Sequence, residues 1–117
     1  MTDPTYTVDA LFAGKDPAVR DIYNQLVDVL RELGPLNEEP KKTSIHLSKK
    51  TGFAGVHPRK SYLYLNLRTE HPIDSSRVSK VEQVSKNRYH NEIKLAGPEE
   101  IDQQLKGWLK EAYALGV

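Results

Sequence analysis

Apolar residues Val19, Ile22, Leu26, Val29, Leu30 and Leu33 recur at helical spacing, one stripe of an amphipathic helix. Asp16-Pro17 before them is a helix start, and Gly34-Pro35 after them is a stop. Asp can accept an orphan backbone N–H, Pro at the first position gives up an N–H that had no partner, and Gly supplies a left-handed cap. The pattern predicts a helix over 17–33. Val8, Leu11 and Phe12 suffice for one short helical turn before it, with Phe12 packing beneath the long helix.

From Thr43 the period changes to two. Thr43, Ile45 and Leu47 alternate with Ser44, His46 and Ser48, which predicts a strand. Lys49 to Gly52 form a turn, Phe53 to His57 a second short strand, and Pro58-Arg59-Lys60 a second turn. In Ser61 to Arg68, Leu63, Leu65 and Leu67 alternate with Tyr62, Tyr64, Asn66 and Arg68, so one face is aliphatic and the other aromatic, amide and cationic. Residues 69–87 are polar, with Val78, Val81 and Val84 three apart, which fits a short helix or a loop that tucks valines inward. A fourth strand is predicted over 88–95, where Tyr89, Asn91, Ile93 and Leu95 oppose His90, Glu92 and Lys94. The last helix opens with Gly97-Pro98-Glu99-Glu100 and carries Ile101, Leu105, Trp108, Leu109, Ala112 and Leu115 as its apolar stripe.

The order is helix, three-strand meander, connection, strand, helix. It predicts a single α+β domain over 1–117, a two-layer sandwich in which both long helices cover the leucine face of a four-stranded antiparallel sheet. Leu63, Leu65 and Leu67 are expected to pack with Val19, Ile22, Leu26, Leu30, Leu105, Trp108 and Leu109, leaving the tyrosine face open.

Composition narrows the function classes. The 117 residues contain no Cys, which removes thiol nucleophiles, thiolate zinc sites and disulfides together. No apolar run approaches the roughly 20 residues of a membrane span, so a soluble, cytoplasmic domain with no membrane partner is expected.

Leu11-Phe12-Ala13-Gly14-Lys15, the Phe53 to Lys60 segment with its Pro58, and the Trp108 to Tyr113 stretch resemble a small bacterial domain-of-unknown-function family, number fifty-six fifty-five. Its members recur alone or at the end of longer chains and are sometimes labelled predicted transport proteins. The resemblance spans about Val8 to Tyr113 and carries no catalytic signature, so it implies no active-site residue.

The net charge of +1 conceals a segregation. Residues 1–40 carry 3 basic and 8 acidic side chains, residues 41–94 carry 12 and 4, and residues 95–117 carry 2 and 4. Between Lys41 and Arg68 there is no carboxylate. Lys42, His46, Lys49, Lys50, Arg59, Lys60, Tyr62, Tyr64 and Arg68 are therefore the candidate ligand-binding residues. Cations that meet phosphates and rings that meet bases are what a single-stranded nucleic acid or a phosphorylated ligand requires. Tyr62 and Tyr64 are expected to project in parallel about 7 Å apart. Set against this, Lys at turns and edges suppresses aggregation and Tyr suits a half-exposed strand. The alternative is a protein-interaction or dimerisation module of a larger assembly, with a homodimer or another protein partner on the open face.

Other chemistry is weaker. His46, His90 and Glu92 share the predicted open face but lack a recognisable ligand spacing, so no metal or other cofactor is expected, and a metal-dependent enzyme or metal chaperone comes third. His57 and His71 precede prolines and are explained by turn chemistry. Gly52-Phe53-Ala54-Gly55 matches a bare GxxG but sits within a strand, where it points to a bulge or a close backbone approach. No nucleophile with a base is legible, and no enzymatic activity is expected.

Overall fold

In a computed structural model that describes residues 6–116, the chain forms α1 (Val8–Phe12), α2 (Pro17–Leu33) and α3 (Gln103–Ala114). Six strands accompany them: β1 (Asn37–Pro40), β2 (Ile45–Ser48), β3 (Gly52–Pro58), β4 (Leu63–Thr69), β5 (Val78–Ser85) and β6 (Arg88–Leu95). The α+β class and the two long helices agree with the sequence pattern; the four-stranded sheet does not. The strands make one antiparallel sheet of six in the order β1-β2-β3-β4-β6-β5.

Both additional strands are edges. The residues of β1 offer no apolar alternation, and tertiary contacts hold them. Glu38 accepts a hydrogen bond from the Tyr23 hydroxyl of α2 and pairs with Arg31 at 2.7 Å, and Asn37 Nδ2 donates to the Lys49 carbonyl at 3.0 Å. The segment read as a short helix or a loop is strand β5. Register shifts between Val78 and Lys80, and between Gln83 and Ser85, interrupt the alternation, so its valines fall three apart without being helical.

α2 begins at Pro17, but its cap differs from expectation: the Asp16 carbonyl accepts from Val19 N at 3.0 Å, while the Asp16 carboxylate makes no capping bond. Gly34 ends the helix at φ 148°, and a Cβ there would lie 2.5 Å from the Tyr113 hydroxyl, so both the backbone and the space select glycine. The start of the last helix is corrected too. Pro98–Glu100 form a separate 3-10 turn, and α3 begins at Gln103, where Asp102 Oδ1 accepts from Leu105 N at 3.0 Å. That carboxylate caps α3; its hydrogen bond to Leu105 N, aided by Arg77, holds the Asp102 carboxyl below its ordinary pKa.

The core lies between the helices and one sheet face. Leu63, Leu65 and Leu67 are enclosed with Val19, Ile22, Leu26, Leu30, Leu105 and Leu109, as the alternation requires. Trp108 only packs against this cluster from its rim, beneath the Arg77 guanidinium at 5.7 Å. Phe12 is buried with its ring 5.2 Å from that of Tyr23.

Two features adjust the sheet to this core. Leu47 pairs with Ala54 but Ser48 pairs with Gly52, so Phe53 is the extra residue of a β-bulge, and the bulge turns its ring inward. Asn91, fully buried, accepts from Ile73 N at 3.0 Å and donates to the Leu67 carbonyl at 3.1 Å and to Thr69 Oγ1 at 2.8 Å. It thereby ties the β4–β5 connection to the sheet and leaves neither side-chain amide atom unpaired.

Candidate anion-binding site

The uncovered face of the sheet is built by pairing. His46 of β2 opposes Gly55 of β3, Gly55 opposes Asn66 of β4, Asn66 opposes Glu92 of β6, and Glu92 opposes Lys80 of β5. One position in this row has no side chain. Above Gly55 and Gly52 lies a hollow of about 210 Å³ walled by His46, His57, Asn66, Arg68, Arg88 and His90, which come from β2, β3, β4 and β6. None of the described residues lining it is a carboxylate.

The walls are fixed by the chain itself. Arg68 donates from Nη1 to the Gly52 carbonyl at 3.2 Å, which sets its guanidinium at the rim. Among the described residues no acceptor meets the enclosed Arg88 Nε–H, and an enclosed donor favours an acceptor placed beside it. Burial lowers the His57 pKa below its ordinary 6.5, with Arg59 adding to the effect and Glu92 opposing it. Burial also lowers His90, helped by Arg88 and Arg68 and opposed by Glu82. At neutral pH both imidazoles are uncharged and offer one donor and one acceptor each, beside two permanent guanidinium charges.

A tyrosine cluster adjoins the hollow through the row His57, Tyr64, Lys94. The Tyr62 and Tyr64 rings are not parallel as expected; they meet edge to face, with centroids 5.4 Å apart and planes at 80°. Each already carries a cation of the same chain, Lys94 Nζ at 4.3 Å from the Tyr62 centroid and Arg59 at 5.6 Å from that of Tyr64.

The nine candidate residues thus divide. His46 and Arg68 line the hollow, and Arg59, Tyr62 and Tyr64 form the cluster beside it. Lys49 and Lys60 turn away. Lys49 Nζ sits 4.6 Å from the ring of Tyr113 in α3, and Lys60 Nζ donates to the Gly14 carbonyl at 3.1 Å, beyond α1. Lys42 and Lys50 are exposed in the connections flanking β2. The sequence reading missed Gly55, His57, Asn66, Arg88 and Lys94. For Gly55 and His57 the signal was present: a glycine within a strand, and a histidine two positions along on the same face.

Of His46, His90 and Glu92, the two histidines line the hollow from opposite sides and Glu92 does not line it. β3 and β4 lie between β2 and β6, so the backbones of β2 and β6 that carry them are three strand spacings, about 14 Å, apart. Among the described residues no group of three or more His, Cys, Asp or Glu is arranged to hold a metal. No helix among them is long and apolar enough to cross a membrane.

A protein-family model described as "Domain of unknown function (DUF5655)" matches residues 8–116. No curated protein and no solved structure matches the chain.

Proposed function

The chain belongs to this domain-of-unknown-function family, and from its own residues we propose that it is a non-enzymatic binding domain whose open sheet face takes a phosphate-bearing ligand. The observation that carries this reading is the hollow over Gly55, ringed by Arg68, Arg88, His46, His57 and His90, with no carboxylate among the described residues that line it. Its 210 Å³ falls short of the roughly 300–1,000 Å³ that encloses a whole small molecule. It therefore suits one phosphate group of a ligand that continues over the sheet. The continuation runs past His57 to Tyr64 and Tyr62, where a base displacing Lys94 or Arg59 from a ring would stack. A nucleotide unit, free or within a single strand, has this combination of groups.

Fluorescence anisotropy with labelled single-stranded DNA and RNA, competed by nucleoside monophosphates, tests the proposal. Binding should weaken with salt, log K falling by about 0.7 per neutralised phosphate. Arg68→Ala and Arg88→Ala should each flatten that slope, while Tyr64→Ala should cost about 1–3 kcal/mol at nearly constant slope. Absence of binding by every probe at low micromolar protein and about 50–100 mM salt would end this reading.

A further inference from the structure

The two sheet edges are finished differently. β1 has four residues, ends in Pro40, and has its side chains engaged by Tyr23, Arg31, Lys41 and Lys49. β5 has eight residues without proline, and Val81 and Val84 are 43% and 48% exposed. A long edge with exposed β-branched residues invites pairing with another chain. Its side chains also say which chain.

Lys80 and Glu82 oppose Glu92 and His90 on the open face of the sheet, whereas Val81 opposes Asn91 on the helix-covered side. For two copies to pair antiparallel about a two-fold axis perpendicular to the sheet, residues facing each other must lie on the same side, so the axis falls level with one residue, midway between it and its own copy, and is named by that residue. An axis through Lys80 or Glu82 sets like charges face to face, and one through Gln83 opposes Lys80 to Lys86. An axis through Val81 instead opposes Val81 to its own copy and Lys80 to Glu82 in both directions. It also continues the row of charges without a sign conflict: Glu92, Lys80, then Glu82 and His90 of the second copy. The register shifts on either side of Lys80–Gln83 confine regular pairing to this central run.

We propose that β5 is a self-complementary edge through which two copies of this chain join, centred on Val81, into one continuous antiparallel sheet. The proposal is independent of the ligand reading, since none of the residues lining the hollow belongs to β5.

Sedimentation velocity from about 1 to 500 µM protein tests it, a range that detects dimers with Kd in the micromolar to sub-millimolar region. A reversible dimer is expected. Lys80→Glu and Glu82→Lys each turn two attractive pairs into two repulsive ones and should raise Kd about tenfold or more. The double swap Lys80→Glu/Glu82→Lys should return Kd to near the original value, and Glu39→Lys on β1 should leave it unchanged. Circular dichroism confirms that each variant is folded. Three results would overturn the proposal: a monomer throughout the range, a dimer indifferent to both single variants, or single variants that weaken it with no recovery in the double.

Discussion

Along β4, Leu63, Leu65 and Leu67 are fully enclosed, while Tyr64, Asn66 and Arg68, which alternate with them, stay half-exposed. The two sets share one backbone and one register, yet different physics holds them. On the covered side many apolar residues from α2, α3 and the sheet enforce the same arrangement, so every contact has substitutes but each lost methylene leaves a void. On the open side the shape depends on something missing: a side chain at Gly55, with Arg68 and the histidines standing around it. The covered face should therefore answer to substitutions through stability, and the open face through binding.

The largest expected effect is Leu65→Ala, which should lower the unfolding free energy by about 2–5 kcal/mol in chemical denaturation, through lost burial and a residual cavity. Asn91→Ala, also on the covered side, should cost about 1–3 kcal/mol, because the Ile73 N–H and the Leu67 carbonyl lose their partner while remaining shut from water. Gly55→Val should divide the two faces most sharply. A Cβ there meets its nearest atoms, His57 Nε2 and the Ile45 carbonyl, at only 3.8 and 4.0 Å, so the fold accepts it. Valine favours a strand, and stability should be unchanged or higher by up to about 1 kcal/mol. The same side chain fills the hollow, and anisotropy should show oligonucleotide binding lost; a variant that binds as well as the parent would place the ligand elsewhere.

The smallest effect is a pH dependence with opposite signs for the two properties. His57 and His90 have native pKa values below 6.5, burial being the first cause. Below about pH 6.5 the unfolded chain takes up protons first, so their contribution to stability is complete above that value and declines as pH falls toward the lower native values. Both rings remain partly exposed, and the decline should be slight in urea unfolding at pH 7.5 and 5.5. A bound phosphate favours the imidazolium forms, so affinity should rise over the same interval.

The sequence made some of this legible and hid the rest for identifiable reasons. α2, β4 and β6 carry their own patterns, because each buries one continuous side against the core. β1 has no such pattern, since its strand state depends on β2 beside it and on Tyr23 and Arg31 of α2, residues distant in the chain. β5 loses its alternation at its own register shifts and has little core to face. For the site, alternation placed His46, Tyr64 and Arg68 on the open side, but a hollow is a property of neighbours on four strands and cannot be read from any one of them. Charge along the chain likewise failed to separate Arg68 from Lys49 and Lys60, which turns carry to the helix layer.

Because β6 lies between β4 and β5, the chain leaves a gap beside β4, and the next strand to form does not fill it. β5 and β6 are neighbours in sequence and can close on each other early, whereas the β4–β6 partners are separated by 20 to 32 residues. The loop-closure cost of the sheet therefore falls mainly on the β4–β6 seam, whose partners are farther apart in the chain than those of any other strand pair. Asn91 fastens that seam, since its bonds reach Leu67, Thr69 and Ile73 at once. Without that seam β4 would be an open edge, its backbone donors and acceptors free to pair with another chain.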